Sequence, residues 1–90
     1  MSSSQKTVAV NSTGVVMLWA KNPDRKYLTI QNQSSQDILV NIGSAPSSNN
    51  GLTISPGEEW SPVNPPKGDI RVLGIALTGS FQKLYTAEES

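Results

Sequence analysis

An all-β chain is what this sequence predicts, a small antiparallel β-sandwich or jelly-roll-like domain of seven to eight short strands. Three observations predict it. Seven Gly and six Pro, with Ser and Asn between them, interrupt every window long enough for three helical turns. Short runs alternate apolar and polar side chains with the period of two that a pleated strand imposes. Turn signals separate those runs at intervals of roughly eight to twelve residues, the spacing of sandwiches and jelly rolls.

Taken in order, residues 1–5 read as a polar N-terminal arm, with no apolar side chain after Met1 and no charge before Lys6. Residues 6–10 alternate enough for a short strand, and Asn11-Ser12-Thr13-Gly14 supplies a turn. Residues 14–20 run continuously apolar through Val15, Val16 and Trp19, which suits a strand covered on both faces or lying partly at an interface. In Lys21-Asn22-Pro23-Asp24, Pro23 fixes φ and Asp24 can bond its neighbouring backbone, so the chain turns. Residues 25–32 then form a strand with Leu28 and Ile30 on one face and Tyr27, Thr29 and Gln31 on the other.

Gln33-Ser34-Ser35-Gln36 closes a tight connection to residues 37–43, where Ile38, Val40 and Ile42 point inward and Leu39 and Asn41 outward. These two strands are expected to pair as a hairpin. A polar loop over 44–50 ends in the turn pair Asn50-Gly51, and Leu52 and Ile54 alternate in the next short strand. Ser55-Pro56-Gly57 stops that strand with Pro and Gly at the central positions of a type II turn, so Gly57 should have a positive φ. Residues 58–61 carry Trp60 into another strand, and 62–68, with three prolines, cross over without joining a central ladder. Residues 69–77 place Ile70 and Val72 opposite Arg71 and Leu73, Thr78-Gly79 turns, and 80–86 completes a second expected hairpin with Leu84 facing away from Phe81 and Tyr85. Residues 6–87 thus make one β-sandwich domain, and 88–90 a polar C-terminal tail.

Ninety residues are one domain at most, and folding a chain of this size removes only about 63% of its extended surface. Cores that thin are usually supplemented by disulfides, a metal or a partner subunit. With no Cys and no His, disulfides and thiolate or imidazole ligation are excluded, which leaves partner subunits. A homo-oligomer follows, a trimer being favoured, because the apolar run at 15–19 exceeds what one strand face can bury. Candidate interface residues are Val15, Val16, Trp19 and Trp60, and the arm residues Ser2, Ser3, Ser4 and Gln5 are candidates for clamping a partner.

The same absences remove the Ser-His-Asp triad, the Cys-His pair and imidazole acid-base catalysis, so no enzyme is expected, and no catalytic, cofactor-binding or metal residue is nominated. Glu58 and Glu59, the closest carboxylate pair, are adjacent in a strand and point to opposite faces. Asp37 and Asp69 lack the closely spaced oxygen ligands of a calcium loop. Asn11-Ser12-Thr13 and Asn32-Gln33-Ser34 fit a glycosylation sequon by chance in a Ser- and Asn-rich chain, and Gly43-Ser44-Ala45 lacks the lysine of a phosphate loop. Lys21, Arg25 and Lys26, with Asp24 among them, read as a charged turn. Seven basic and seven acidic residues cancel, so neither nucleic acid nor an anionic membrane is an expected partner. The longest apolar run, 15–20, is far short of a bilayer span, no signal peptide is expected, and synthesis in a cytoplasm is.

Laid in order, Arg25-Lys26-Tyr27-Leu28-Thr29-Ile30-Gln31-Asn32, Ile38-Leu39-Val40-Asn41-Ile42-Gly43, Leu52-Thr53-Ile54-Ser55-Pro56-Gly57-Glu58-Glu59-Trp60 and Ile70-Arg71-Val72-Leu73-Gly74 resemble small β-sandwich virion proteins of tailed bacteriophages. The resemblance covers roughly residues 25–86. It implies a non-enzymatic structural role on the particle, such as a capsid decoration or cement subunit that contacts the major capsid protein or other virion proteins. The expected location is then the virion, assembled in the host cytoplasm. The competing expectation is a fibre- or tail-associated carbohydrate- or receptor-binding module, suggested by Trp19, Trp60 and the loop at 47–50.

Overall fold

The computed structural model describes residues 3–47, 50–75 and 81–90. Eight strands occur among them and no helix: β1 (Ser3–Val10), β2 (Val16–Trp19), β3 (Tyr27–Asn32), β4 (Ile38–Ile42), β5 (Leu52–Ile54), β6 (Glu59–Trp60), β7 (Ile70–Gly74) and β8 (Gln82–Glu89). They form two antiparallel four-stranded sheets, ordered β1-β8-β3-β6 and β2-β7-β4-β5. The pairs β1·β8, β2·β7, β3·β6 and β4·β5 are nested, as in one long hairpin rolled up so that β3 also meets β8 and β4 also meets β7. That is the jelly-roll arrangement, one of the two architectures the turn spacing allows.

The period-two readings locate the core. Leu28 and Ile30 of β3, Ile38 and Val40 of β4, Ile54 of β5, Ile70 and Val72 of β7 and Leu84 of β8 are buried between the sheets with Val10 and Leu18. Leu18 enters this layer through a register shift between Met17 and Trp19, which turns two consecutive side chains of β2 toward the core side. The type II turn stands as expected: Gly57 has φ 80°, and the Glu58 N–H donates to the Ser55 carbonyl at 3.0 Å. Gly51 has φ 104°, so the chain turns there as well.

Both expected hairpins are corrected. Strands β3 and β4 lie in different sheets, as do β7 and β8; of the strands adjacent in sequence, β4 and β5 alone pair. Connection 33–37 therefore carries the chain across the sandwich, and buried amides hold it there. The Asn32 side-chain amide donates to the Gln36 carbonyl at 2.7 Å and the Ile54 carbonyl at 2.9 Å, while its oxygen accepts from the Ser34 N–H and hydroxyl. Gln82 supplies the second clamp: its amide nitrogen donates to the Gln36 and Asp37 carbonyls, and its oxygen accepts from the Ile75 N–H. The paired amides satisfy a crossing that a strand ladder leaves open.

The two ends are corrected too. Ser3, Ser4 and Gln5, expected in an arm outside the domain, are the first residues of β1 and oppose Glu89, Glu88 and Ala87. Backbone pairing needs no apolar side chain, so a polar segment can extend an edge strand. Glu88 and Glu89, expected in the tail, belong to β8, where β1 and β3 pair with them from both sides and Arg25 bonds the Glu88 carboxylate. Ser2, the Thr78-Gly79 turn and the centre of the 47–50 loop lie outside the described residues.

Candidate functional site

Strand alternation sorts the side chains of each sheet into an inner and an outer set. On the β1-β8-β3-β6 sheet the outward set is Ser3, Gln5, Thr7 and Ala9 of β1, Lys83, Tyr85, Ala87 and Glu89 of β8, Tyr27, Thr29 and Gln31 of β3, and Glu59 of β6. A concavity of about 420 Å³ opens on this face, floored by Thr29 and Ala87 and walled by Tyr27, Tyr85, Gln5, Glu59 and Glu89. Small side chains in the middle and long ones around them make the hollow. Its polar groups are already ordered. The Tyr85 hydroxyl donates to Gln5 Oε1 at 2.8 Å, Thr29 and Ser61 share a hydroxyl bond at 2.6 Å, and the Ser61 hydroxyl donates to Glu59 Oε2 at 3.1 Å. Two phenol rings with one amide and carboxylates around them can take hydroxyl-rich ligands by hydrogen bonding and stacking.

One end of that face is fixed by Arg25, whose side chain is fully buried. Its guanidinium donates to Glu88 Oε2 at 2.7 Å, to the Pro66 and Gly68 carbonyls at 2.6 and 2.9 Å, and to the Ala20 carbonyl at 2.9 Å. Lys67 in turn donates its ammonium to the Arg25 carbonyl, and the Lys26 N–H bonds the Glu89 carbonyl at 2.7 Å. A residue expected on a charged surface turn thus ties together the end of β2, the proline-rich crossover and the end of β8. Its planar fork suits four acceptors approaching from different segments.

The outer face of the β2-β7-β4-β5 sheet is mixed, with Arg71, Asn41 and Thr53 sharing it with an apolar group. Met17 is 51% exposed and Val15 and Ile75 are each 42% exposed, with the half-buried Leu39 and Leu73 opposed in register beside them. Arg71 is the cation on this face, bonded to Asp69 Oδ2 at 2.6 Å; that hydrogen bond holds the Asp69 carboxyl below its ordinary range.

The nominated interface residues separate. Val15 is exposed as an interface residue would be, but Val16, Trp19 and Trp60 pack against the chain's own core. Trp19 donates its indole N–H to Thr86 Oγ1 at 2.9 Å, and the Lys6 ammonium sits 4.3 Å above the ring. Neither tryptophan lines the concavity. Asn32, in the second sequon, is buried and fully bonded, out of reach of any modifying enzyme in the folded chain. Glu58 caps the type II turn, its carboxylate accepting from the Ser55 N–H. Among the described residues no group of three or more acidic side chains is placed to hold a metal ion, and no helix is long and apolar enough to cross a membrane.

Tyr27, Thr29 and Gln31 are legible in sequence as one outward strand face. That Tyr85 and Gln5 join them follows from the strand order, which no local signal carries. No protein-family model matches this chain, and no curated protein matches it.

Proposed function

We propose that this chain is a non-enzymatic structural protein of a tailed-phage virion, a capsid decoration or cement subunit that docks between coat subunits through the outer face of its β2-β7-β4-β5 sheet. The observation that carries the reading is an exposed apolar group on that side of the sandwich, Val15, Met17 and Ile75 beside the half-buried Leu39 and Leu73. A rigid sandwich with an exposed apolar patch on one face can add burial between neighbours without altering its own fold. Jelly rolls serve in viral capsids and in lectins alike, so the fold class is compatible with the reading and does not select it. The test is the position of the chain in purified particles by electron microscopy. Met17→Glu with Leu73→Glu should lower its occupancy on heads while leaving the thermal midpoint of the isolated domain within a few degrees. Full occupancy of that variant, or absence of the chain from heads, overturns the reading.

A second reading is a fibre- or tail-associated carbohydrate-binding module. The concavity bounded by Tyr27, Tyr85, Gln5, Glu59 and Glu89 favours it, in place of the two tryptophans. A glycan array separates the two. Saturable binding that is lost in Tyr27→Ala and Tyr85→Ala supports the module, and a blank array supports the structural subunit.

A further inference from the structure

Each sheet has two edges, and the chain protects three of them. Strand β2 is broken by its register shift, and β5 and β6 are three and two residues long, too short to template a partner. Strand β1 differs: eight residues, no Pro, no register shift against β8, and one charge, Lys6. Its outer row of backbone donors and acceptors faces no strand among the described residues. Lysine on an edge strand ordinarily repels an incoming strand. Here the ammonium is drawn inward over the Trp19 ring.

We propose that β1 pairs with β1 of a second copy of this chain, joining the two β1-β8-β3-β6 sheets into one continuous eight-stranded sheet about a two-fold axis at Thr7. The register follows from three constraints. Opposed residues in an antiparallel pair share a face, so two-fold self-pairing joins residues whose numbers sum to an even value. A sum of twelve pairs residues 3–9 but sets Lys6 against Lys6 of the other copy, two like charges directly opposed. A sum of fourteen pairs residues 4–10, with Thr7 facing Thr7, Lys6 facing Val8, Gln5 facing Ala9 and Ser4 facing Val10. Sums of ten and sixteen keep five residues each. Fourteen therefore retains the longest ladder with no like charges opposed, and it centres on a threonine pair, a favoured cross-strand neighbour.

A second copy is the occupant the charges admit. The chain's formal net charge is zero, so two copies approach without long-range repulsion. The outward side chains of β1 near the axis, Gln5, Thr7 and Ala9, are exposed and short enough not to block a neighbouring strand. This is a two-fold dimer, in place of the trimer expected from the apolar run at 15–19. It does not depend on the virion reading: either proposal can fail while the other stands.

Single-cysteine scanning tests the register, since the chain has no cysteine of its own. Directly opposed Cβ atoms lie about 4.5–5.5 Å apart, within reach of a disulfide after small adjustment. Under mild oxidation Thr7→Cys should form a covalent dimer at least about tenfold faster than Lys6→Cys or Gln5→Cys, whose counterparts sit diagonally or farther away. Sedimentation equilibrium of the wild type should give a dimer with a dissociation constant on the order of 10–100 µM, the range of small interfaces. Gln5→Lys with Ala9→Lys opposes two ammonium pairs and should weaken the dimer about tenfold or more, while a mixture with Gln5→Glu, Ala9→Glu should restore association as the heterodimer. A wild type monomeric at 500 µM overturns the proposal, as does fastest cross-linking at Lys6→Cys, or a dimer indifferent to the lysine pair.

Discussion

Replacing Arg25 by Ala removes a guanidinium that is fully buried and bonded to one carboxylate and three carbonyls. The carboxylate left behind, Glu88, is 17% exposed and loses its cation. Breaking a buried ion pair by deleting one partner costs about 3–5 kcal/mol, because the survivor stays charged without compensation. The stranded carbonyls of Ala20, Pro66 and Gly68 push the expected cost toward the upper end of that range. A domain of ninety residues has roughly 5–13 kcal/mol of stability in total, so Arg25→Ala should leave a marginal fold. At about 4–8 °C per kcal/mol for a domain of this size, the thermal midpoint should fall by at least about 12 °C. Arg25→Lys should recover part of the loss, since an ammonium keeps the charge but has three donors on a single nitrogen and no fork. Urea titration followed by tryptophan fluorescence reads both variants, because Trp19 and Trp60 pack against the core that the pin holds closed. Lys26→Ala, one position along and exposed, is the control. A midpoint for Arg25→Ala within about 4 °C of that control would refute the reasoning.

Three further outcomes follow from the same geometry. Gly57→Ala should cost about 1–2 kcal/mol from left-handed backbone strain alone, since its new Cβ meets nothing within 4 Å, whereas Gly51→Ala drives its Cβ into the Val40 carbonyl oxygen and should cost clearly more; equal thermal midpoints would contradict the distinction. Gln82→Glu faces a carboxylate toward the Gln36 and Asp37 carbonyls, so it should destabilise by about 3 kcal/mol at neutral pH and less near pH 4, where the new carboxyl is protonated and can donate again; denaturation at the two pH values reads the difference. Asp69, held below its ordinary value of 3.8 by the Arg71 hydrogen bond, contributes stability that is fully present above about pH 5 and is lost as pH falls through its depressed pKa. Asp69→Asn should therefore lose less stability than the wild type between pH 5 and pH 2 in urea titrations.

The inward and outward assignments of β3, β4 and β7 were legible because alternation is a property of neighbouring residues, and so was the turn at Pro56-Gly57. Strand partnership was not. Gln33-Ser34-Ser35-Gln36 reads locally as a hairpin turn, but the next strand lies in the other sheet, and the amides that hold the crossing, Asn32 and Gln82, are fifty residues apart in sequence and joined through the Ser34 and Gln36 region. Arg25 was hidden for the same reason. Its acceptors stand five, forty-one, forty-three and sixty-three residues away, and an arginine flanked by Lys, Asp and Pro carries the local mark of a solvated turn. Ser3–Gln5 lacked the apolar alternation that marks a half-buried strand, and as part of an edge strand they did not need it.

Because Ser3 stands opposite Glu89 in the β1·β8 ladder, the first and last strands enter and leave the domain side by side. Tension applied between those two points would load the ladder like a zipper, opening its hydrogen bonds one after another from the Ser3 end instead of shearing all of them together. Such a domain yields to a weaker pull between those two points than it would if the bonds of the ladder had to break together. In any assembly that contains it, load is best carried through the broad sheets, with the chain ends left slack.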